Sequence, residues 1–240
     1  MNFDAIIEAL PSYIGGVGVT LQLLVAALLL GLVIALPMGV ARASDNPWLS
    51  KPVWVFTYVI RGTPMLVQLF LIYYGLAQFE LVRESALWPL LSQAWFCAVL
   101  TFTLNTAGYT AEIIAGAMRA TPYGEIEAAN SLGMPRWKVL TRILLPSAMR
   151  RALPAYSNEV IFMLHGTSLA SVVTVIDLTG AAREMNSRSY LPFEAFLTAA
   201  VFYLAMTFSL VAMFHFAEKR WLGHLAPRKS APLIATSVPI

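Results

Sequence analysis

Three long stretches without charged residues constrain this chain more than any other feature. Residues 9–41, 85–111 and 195–217 contain no Asp, Glu, Lys or Arg. These stretches are 33, 27 and 23 residues long, and an α-helix needs about 20 apolar residues to cross a bilayer. Only 12% of the 240 residues are charged, against about 25% in a typical soluble domain. The sequence therefore predicts an all-α membrane protein with several spans and excludes a soluble domain.

Two weaker apolar stretches add two further spans. Residues 62–79 carry no charge after Arg61, and residues 160–176 carry none after Glu159. An odd number of spans places the two termini on opposite sides of the membrane. We expect about five transmembrane helices, near residues 17–41, 57–79, 87–111, 152–176 and 194–216.

The distribution of basic residues predicts which terminus is cytoplasmic. Twelve Lys and Arg residues fall within 42–52, 112–151 and 217–240, and three fall in the opposite segments. Because cytoplasmic loops are enriched in basic residues, we expect an external N-terminus, a cytoplasmic C-terminus and a large cytoplasmic loop at 112–151. Residues 1–225 are expected to form one transmembrane domain. Residues 226–240 end in an uncharged stretch with two prolines and are expected to form a disordered cytoplasmic tail.

Several functional classes lack their sequence signatures. The single cysteine, Cys97, lies in an apolar stretch, and the three histidines have no metal-binding spacing. The chain has no GxxxxGKS or GxxxxGKT motif, so it has no P-loop to hold ATP phosphates. No basic patch alternates with aromatic residues, so we expect no nucleic-acid partner. We therefore expect a non-enzymatic membrane protein without a metal site.

The large cytoplasmic loop begins with the pattern of a short capped helix. Thr121 is a favourable N-cap, and Pro122 suits the first helical position. Glu125 and Glu127 favour the positive end of the helix dipole. Gly133 is suited to the left-handed conformation that ends a helix. The pattern predicts a helix of about ten residues that ends in a sharp turn.

A second, amphipathic helix is predicted beyond that turn. Trp137, Leu140 and Leu144 form an apolar stripe at helical spacing. Such a loop either lies on lipid head groups or binds a partner protein. The first helix is acidic and carries two small residues, Ala128 and Ala129, whereas anionic lipid attracts basic helices. A groove in a partner protein is the better fit.

The loop resembles the EAA loop of ABC importer permeases. Three residues separate Glu127-Ala128-Ala129 from Gly133, and nine residues separate Gly133 from Ile143-x-Leu145-Pro146. The resemblance implies a type I ABC importer transmembrane domain. It also implies that the loop carries a coupling helix, which sits in a cleft of a cytoplasmic ATPase. The coupling residues it implies are Glu125, Glu127, Ala128, Ala129, Gly133 and Pro146.

Three other stretches indicate which group of ABC permeases this chain resembles. Arg61-Gly62-Thr63-Pro64 with Val67-Gln68, and the segment 104–112, are similar to polar amino acid permeases. Residues 155–165 resemble the M-type permease subunit of histidine and lysine/arginine/ornithine importers. Many relatives have Lys-Asp where this chain has His165-Gly166, so the role of that lysine is not carried over.

The resemblance also implies partners, a substrate and a location. The partners are a Q-type second permease subunit, an ATPase dimer that holds ATP and magnesium, and a periplasmic substrate-binding protein. The substrate is a basic amino acid, namely histidine, arginine, lysine or ornithine. The chain itself then binds no cofactor and lies in the bacterial inner membrane with its N-terminus in the periplasm.

Glu159 is the most conspicuous charge within a predicted span. A charged side chain inside a span costs roughly 2.5–3.5 kcal/mol on insertion scales, so it usually faces protein or water. Its carboxylate can bind the ammonium or guanidinium group of a cationic amino acid. It can equally form a structural salt bridge with Arg61, Arg151 or an arginine of a partner subunit.

Further polar residues in the spans are candidates for the substrate pathway. Asn105 lies in a polar stripe on the third span with Thr101, Gly108 and Glu112. Interhelical packing is the alternative role for such residues. The predicted pathway residues are Glu159, Asn105, Asn158, His165 and Thr63.

Three other functions remain alternatives. The first is a secondary carrier for polar amino acids, although such folds often contain inverted repeats and no repeat is evident here. The second is an ABC permease for another polar amino acid, such as glutamine or glutamate. The third is an intramembrane hydrolase using Ser157, Ser168 and His165, but no GxSxG elbow accompanies these residues.

Overall fold

The computed structural model describes residues 2–222, and they form an all-helical bundle. The predicted tail at 226–240 lies outside the described residues. The helices are α1 Phe3–Ala43, α2 Pro47–Gly62, α3 Met65–Phe70, α4 Glu80–Arg83, α5 Trp88–Leu91, α6 Ala94–Arg119, α7 Tyr123–Ser131, α8 Arg136–Val139, α9 Leu145–Gly166, α10 Leu178–Ser189 and α11 Pro192–Leu222.

Four irregular turns extend these helices. Leu71–Gly75 and Leu140–Leu144 are π-helical, while Leu76–Gln78 and Thr167–Val173 are 3₁₀-helical. The first π turn continues α3, and the second joins α8 directly to α9. The backbone therefore stays helical well beyond the α-helical limits of these segments.

Helices α1 and α6 pack closely along each other through small residues. Ala27, Gly31, Ala35 and Gly39 recur every four residues on α1 and are all buried. A Cβ atom at Gly39 would lie 2.7 Å from Cγ2 of Ile114 on α6, and one at Gly31 would overlap the Thr106 methyl group. Small residues at this spacing let helix backbones approach closely in membranes.

Helix α1 begins much earlier than the predicted limit of residue 17. It starts at Phe3, where the Asn2 side chain accepts a hydrogen bond of 3.3 Å from the Ala5 amide. Asp4 lies in the first turn, where a negative charge stabilises the helix dipole. The limits of the charge-free stretch therefore gave too short a helix. Acidic residues such as Asp4 are favourable at the N-terminal end of a helix and lie inside α1.

The second predicted span, near residues 57–79, is a broken helix in the structure. The axes of Pro47–Gly62 and Met65–Gln78 differ by 102°. The break lies at Thr63-Pro64, where Thr63 has an extended backbone with ψ 141°. Proline restricts the preceding residue to extended conformations and supplies no N–H group, so it ends α2 at this point.

The fourth predicted span also ends in a bend. Thr174 adopts a left-handed backbone with φ 68°, and the segment Leu178–Ser189 is inclined by 47° to Arg136–Val173. Among residues 2–222, α1 and α11 are long and apolar enough to cross a membrane, and the number rises to four if each bent pair forms one span. Helix α6, the predicted third span, is buried along most of its length.

Candidate functional site

A cavity of about 850 Å³ lies where the α2–α3 break meets α6 and α9. Its volume falls within the range of roughly 300–1,000 Å³ that is usual for small-molecule sites. The walls combine apolar groups with a few polar ones and two opposite charges. The lining residues are Arg61, Gly62, Thr63, Pro64, Met65, Asn105, Tyr109, Ile113, Ala155, Asn158, Glu159, Phe162 and Met163.

Glu159 projects from the middle of α9 into this cavity. Only 6% of the residue is exposed. Among the described residues, no cationic nitrogen lies within 4.0 Å of its carboxylate. Arg151, one of the suggested salt-bridge partners, binds Glu125 at 3.1 Å instead. Glu159 is therefore a buried carboxylate that faces a cavity and has no ion pair within the described chain.

Arg61 lines the same cavity from the end of α2. Its guanidinium carbon lies 5.3 Å from the centroid of the Tyr109 ring, in a cation–π contact. Along the axis of α2, Arg61 lies about 21 Å from Pro47, since an α-helix rises 1.5 Å per residue. The cavity thus contains a guanidinium and a carboxylate that do not contact each other.

Gln68 holds the broken helix together at the cavity wall. Its Nε2 atom donates to the carbonyl oxygen of Ile60 at 2.7 Å, to that of Thr63 at 3.1 Å and to Thr63 Oγ1 at 2.7 Å. Its Oε1 atom accepts a hydrogen bond of 3.0 Å from Asn105 Nδ2. The end of α2 leaves carbonyl groups without helical partners, and Gln68 supplies the missing donor.

The role of Gln68 was not predicted from the sequence. A polar residue four positions after Pro64 in an otherwise apolar stretch was the available signal. Buried amides in a membrane helix need hydrogen-bond partners, so its presence pointed to exposed carbonyl groups nearby. Which carbonyls these were depended on the direction of the bend.

Four of the five predicted pathway residues line the cavity: Glu159, Asn105, Asn158 and Thr63. His165 does not. Its Nε2 atom lies 3.2 Å from Oγ1 of Thr207 on α11, and it lines a separate cavity of about 540 Å³. His165 shares a helical face with Asn158 but lies two turns further along, where it is exposed and contacts α11.

The hydrolase alternative receives no support from the arrangement around His165. Ser168 Oγ donates to the backbone carbonyl of His165 at 2.7 Å. The ring of His165 contacts Thr207 instead. A nucleophilic serine requires a side-chain base within hydrogen-bond reach, and Ser168 makes its hydrogen bond to a carbonyl.

The loop predicted at 112–151 is shorter in the structure. Helix α6 continues to Arg119, and α9 begins at Leu145. The predicted cap by Thr121 is wrong, since its Oγ1 donates to the Ala117 carbonyl at 3.2 Å and completes the end of α6. Pro122 occupies the N-cap position of α7 without a side-chain hydrogen bond.

The predicted end of the loop helix is confirmed. Gly133 has φ +71°, in the left-handed region that favours glycine. Its N–H donates to the Asn130 carbonyl at 2.9 Å, and the Met134 N–H donates to Ala129 at 3.2 Å. These bonds satisfy the last carbonyl groups of α7. The second predicted helix is α8 with the π turn that follows it.

The predicted coupling residues divide between two faces of the loop. Glu127, Ala128 and Gly133 are exposed, and Pro146 lies in the first turn of α9. Ala129 is buried at 4% exposure, and Glu125 binds Arg151. The inward-facing residues anchor α7 to α9, while Glu127 and Ala128 face outward. Their coupling role stays a prediction.

Large apolar side chains surround the outward face of the loop. Tyr123 is 72% exposed, Leu132 is 82% exposed and Trp137 is 62% exposed. Exposed apolar groups clustered in this way mark protein or membrane contact surfaces. We refer to Tyr123, Glu127, Ala128, Leu132 and Trp137 as the loop surface.

A partly buried ion pair joins α1, α2 and α6 near the loop. Arg42 Nε lies 2.7 Å from Glu112 Oε1, and Thr57 Oγ1 donates to the same oxygen at 2.7 Å. Arg119 reaches the Arg42 carbonyl at 2.7 Å. The sequence indicated only that Glu112 lies near the loop, and its partners come from helices distant in the chain.

A cavity that contains two charged groups within a bundle of long apolar helices is the arrangement expected of a membrane transport protein. Residues 27–223 match the family of the binding-protein-dependent transport system inner membrane component. The chain therefore belongs to this family of membrane permeases.

Individual relatives agree with this assignment. The chain is 48% identical over 213 residues to the histidine/lysine/arginine/ornithine transport system permease protein HisM of Escherichia coli strain K12, covering 88% of this chain and 90% of HisM. It is 43% identical over 230 residues to the nopaline transport system permease protein NocM of Agrobacterium fabrum strain C58, covering 95% of both chains.

A solved structure also has the same fold. A chain of the crystal structure of an amino acid ABC transporter with histidines matches with a TM-score of 0.82 and 32% sequence identity. The match covers 92% of this chain and 99% of that chain. The predicted type I ABC permease fold is therefore confirmed.

Proposed function

We propose that this chain is the permease subunit of an ATP-driven importer that carries basic amino acids across the bacterial inner membrane. The substrates we propose are histidine, arginine, lysine and ornithine. The observation that carries the proposal is Glu159, a buried carboxylate facing a cavity of about 850 Å³ without an ion pair in the described chain. The names of the HisM relatives support the same substrate class.

The charge of the cavity explains the choice of a cationic substrate. An unpaired carboxylate in a low-dielectric surrounding is unfavourable until a cation approaches it. A guanidinium group matches a carboxylate with two parallel hydrogen bonds, and an ammonium group forms a charge-assisted one. Glutamate, one of the alternative substrates, would place a second carboxylate near Glu159, and glutamine would offer Glu159 only its α-ammonium group and no cationic side chain.

The membrane topology we propose has five spans. Helices α1, α6 and α11 form three, and the two bent pairs, α2 with α3 and α9 with α10, form the others. Twelve basic residues on one side support a periplasmic N-terminus and a cytoplasmic C-terminus. In this arrangement the break at Thr63-Pro64 lies inside the membrane, where irregular backbone is tolerated if it lines a cavity.

Energy for transport would come from a separate ATPase dimer that holds ATP and magnesium. The outward-facing loop surface supports this assignment, because a short helix flanked by apolar side chains suits a groove in a partner protein. A Q-type permease would complete the membrane part, and a periplasmic protein would deliver the substrate. ATP binding then shifts the population between inward- and outward-facing states by differential contacts.

Transport by the reconstituted complex tests the proposal. Proteoliposomes containing both permeases, the ATPase and the binding protein are supplied with radiolabelled arginine, lysine, histidine or glutamine. We expect ATP-dependent uptake of the basic amino acids and at least a tenfold loss with Glu159→Gln. The matched control is Glu84→Gln, an exposed acid outside the cavity, which should transport normally.

Two results would contradict the proposal. Uptake that needs an ion gradient but not ATP would indicate a secondary carrier. Loss of complex assembly in Glu159→Gln, in proportion to the loss of uptake, would indicate a structural ion pair with a partner subunit.

A further inference from the structure

We propose that Arg61 and Glu159 hold opposite ends of one substrate molecule, with Arg61 binding the α-carboxylate and Glu159 the cationic side chain. The inference rests on the proposed function and adds a second recognition point to the same cavity. It assigns to the site a zwitterionic α-amino acid with a cationic side chain, and not simply an organic cation.

The first support is that these opposite charges share a cavity without meeting. Both residues line the cavity of about 850 Å³, yet no ion pair within 4.0 Å joins them. Glu159 is buried, whereas Arg61 is exposed. The guanidinium group is therefore free to bind an anion that enters the cavity, while the carboxylate lies deeper in the bundle.

The second support is that each charge is held in place by its own element. The Arg61 guanidinium lies over the Tyr109 ring of α6, a contact that leaves its N–H donors available for hydrogen bonds. Glu159 is 6% exposed and is carried on the middle of α9. The separation is thus a property of the packing of α2, α6 and α9.

The third support is the chemistry of the space between them. A guanidinium group binds a carboxylate through two parallel hydrogen bonds. The side chains of Asn105 and Asn158 line the same cavity as the charged groups, and amide oxygens accept hydrogen bonds from an ammonium group. A basic amino acid carries one carboxylate and two cationic groups, and this arrangement offers each of them a partner.

The alternative is that Arg61 serves only to pack α2 against Tyr109. That role predicts equal effects on every ligand of the cavity. A role in carboxylate binding predicts an effect confined to ligands that possess a carboxylate, so ligands that differ only in this group separate the two.

Equilibrium binding to the purified complete complex tests the inference. The probes are radiolabelled arginine, agmatine, which is arginine without its carboxylate, and citrulline, which has a neutral side chain. The measurements are made in detergent without the binding protein, on the wild type, Arg61→Gln, Arg61→Lys and Glu159→Gln. Each affinity ratio comes from a single preparation, so partial loss of folded protein does not affect it.

We expect the wild type to bind arginine at least tenfold more tightly than agmatine. Arg61→Gln should remove that preference and leave agmatine binding within about twofold of the wild type. Arg61→Lys should retain part of the preference, since an ammonium group binds carboxylate without the bidentate geometry. Glu159→Gln should preserve the preference for arginine over agmatine and abolish the preference for arginine over citrulline.

The outcomes distinguish the failure of this inference from that of the proposed function. Equal weakening of arginine and agmatine by Arg61→Gln would show that Arg61 is structural, as would a wild type that does not distinguish them. An unchanged preference for arginine over citrulline in Glu159→Gln would overturn the role of Glu159 instead. Failure of the wild type to bind arginine would overturn both.

Discussion

The amide nitrogen of Asn105 donates a 3.0 Å hydrogen bond to the side-chain oxygen of Gln68, which in turn donates to the carbonyl oxygens at the end of α2. One connected set of hydrogen bonds therefore links α6 to both sides of the break at Thr63-Pro64. Asn105 lines the cavity but directs its N–H group at the wall. Its contribution to the site is partly to hold the broken helix in position.

Replacing Gln68 by Leu should destabilise the protein. The substitution leaves the carbonyl groups of Ile60 and Thr63 without their donor, and each unsatisfied buried group costs about 1–3 kcal/mol. Thermal unfolding of the purified complex should show a lower Tm. Gln78→Leu is the control, because the exposed Gln78 side chain makes one long contact of 3.5 Å with Tyr74. Equal Tm values for the two variants would contradict the assigned role.

A double-mutant cycle tests the link between Gln68 and Asn105. Side chains in one hydrogen-bond network usually show coupling energies of about 0.5–3 kcal/mol. We expect the combined Gln68→Leu and Asn105→Leu variant to lose less stability than the sum of the single variants. Strictly additive losses would show that the two side chains act independently.

Alanine at Gly31 should destabilise the packing of α1 on α6. The new Cβ atom would overlap the Thr106 methyl group, and overpacking typically costs 1–3 kcal/mol. Gly18 on the same helix has no atom within 4 Å of an added Cβ. Gly18→Ala should therefore be neutral or stabilising, since alanine favours helix over glycine by about 0.5–1 kcal/mol. Opposite shifts in Tm confirm the contact, and parallel shifts would contradict it.

Separating Arg42 from Glu112 should loosen the helix ends beside the loop that contains α7. Each side chain is 18% exposed, so removal of one partner should cost less than the 3–5 kcal/mol typical of a fully buried pair. We expect about 1–3 kcal/mol for Arg42→Leu or Glu112→Leu, measured by thermal unfolding. The double variant should be no less stable than either single one, and a further loss of stability would argue against a direct pair.

Tryptophan at Ala128 should prevent attachment of the ATPase without unfolding the permease. Ala128 is exposed in the middle of the loop surface, and a large side chain there would obstruct a complementary groove. We expect at least a tenfold loss of co-purifying ATPase with an unchanged Tm of the membrane part. Ala86→Trp, an exposed position outside the loop, is the control. Normal ATPase recovery with Ala128→Trp would refute the proposed docking surface.

Features that depend on neighbouring residues were predictable from the sequence. The break at Thr63-Pro64 coincides with a proline that supplies no N–H group, and the end of α7 coincides with a glycine at φ +71°. The EAA spacing lies within twenty consecutive residues, so its recognition required no knowledge of the fold. Helix limits were less accurate, because charged residues such as Asp4 and Arg119 lie inside helices and not beyond them.

Features that depend on distant residues were not predictable in the same way. Arg42 and Glu112 are 70 positions apart, and Gln68 and Asn105 are 37 apart. Periodicity indicated that Asn158 and His165 share a face of α9, but only packing shows that His165 does not line the cavity and contacts α11 instead. The choice between Arg61, Arg151 and no partner for Glu159 likewise depended on the packing of the helices.

The sequence by itself determined that this chain is a helical membrane protein, because a segment in lipid must satisfy its backbone hydrogen bonds internally and must be almost free of charge. It also predicted the EAA loop, whose signature is local. Only the tertiary structure decided which charges meet. Arg151 binds Glu125 and Arg42 binds Glu112, whereas Arg61 and Glu159 face one cavity without contact. Charge interactions depend on distance in space, and the packing of the helices sets that distance.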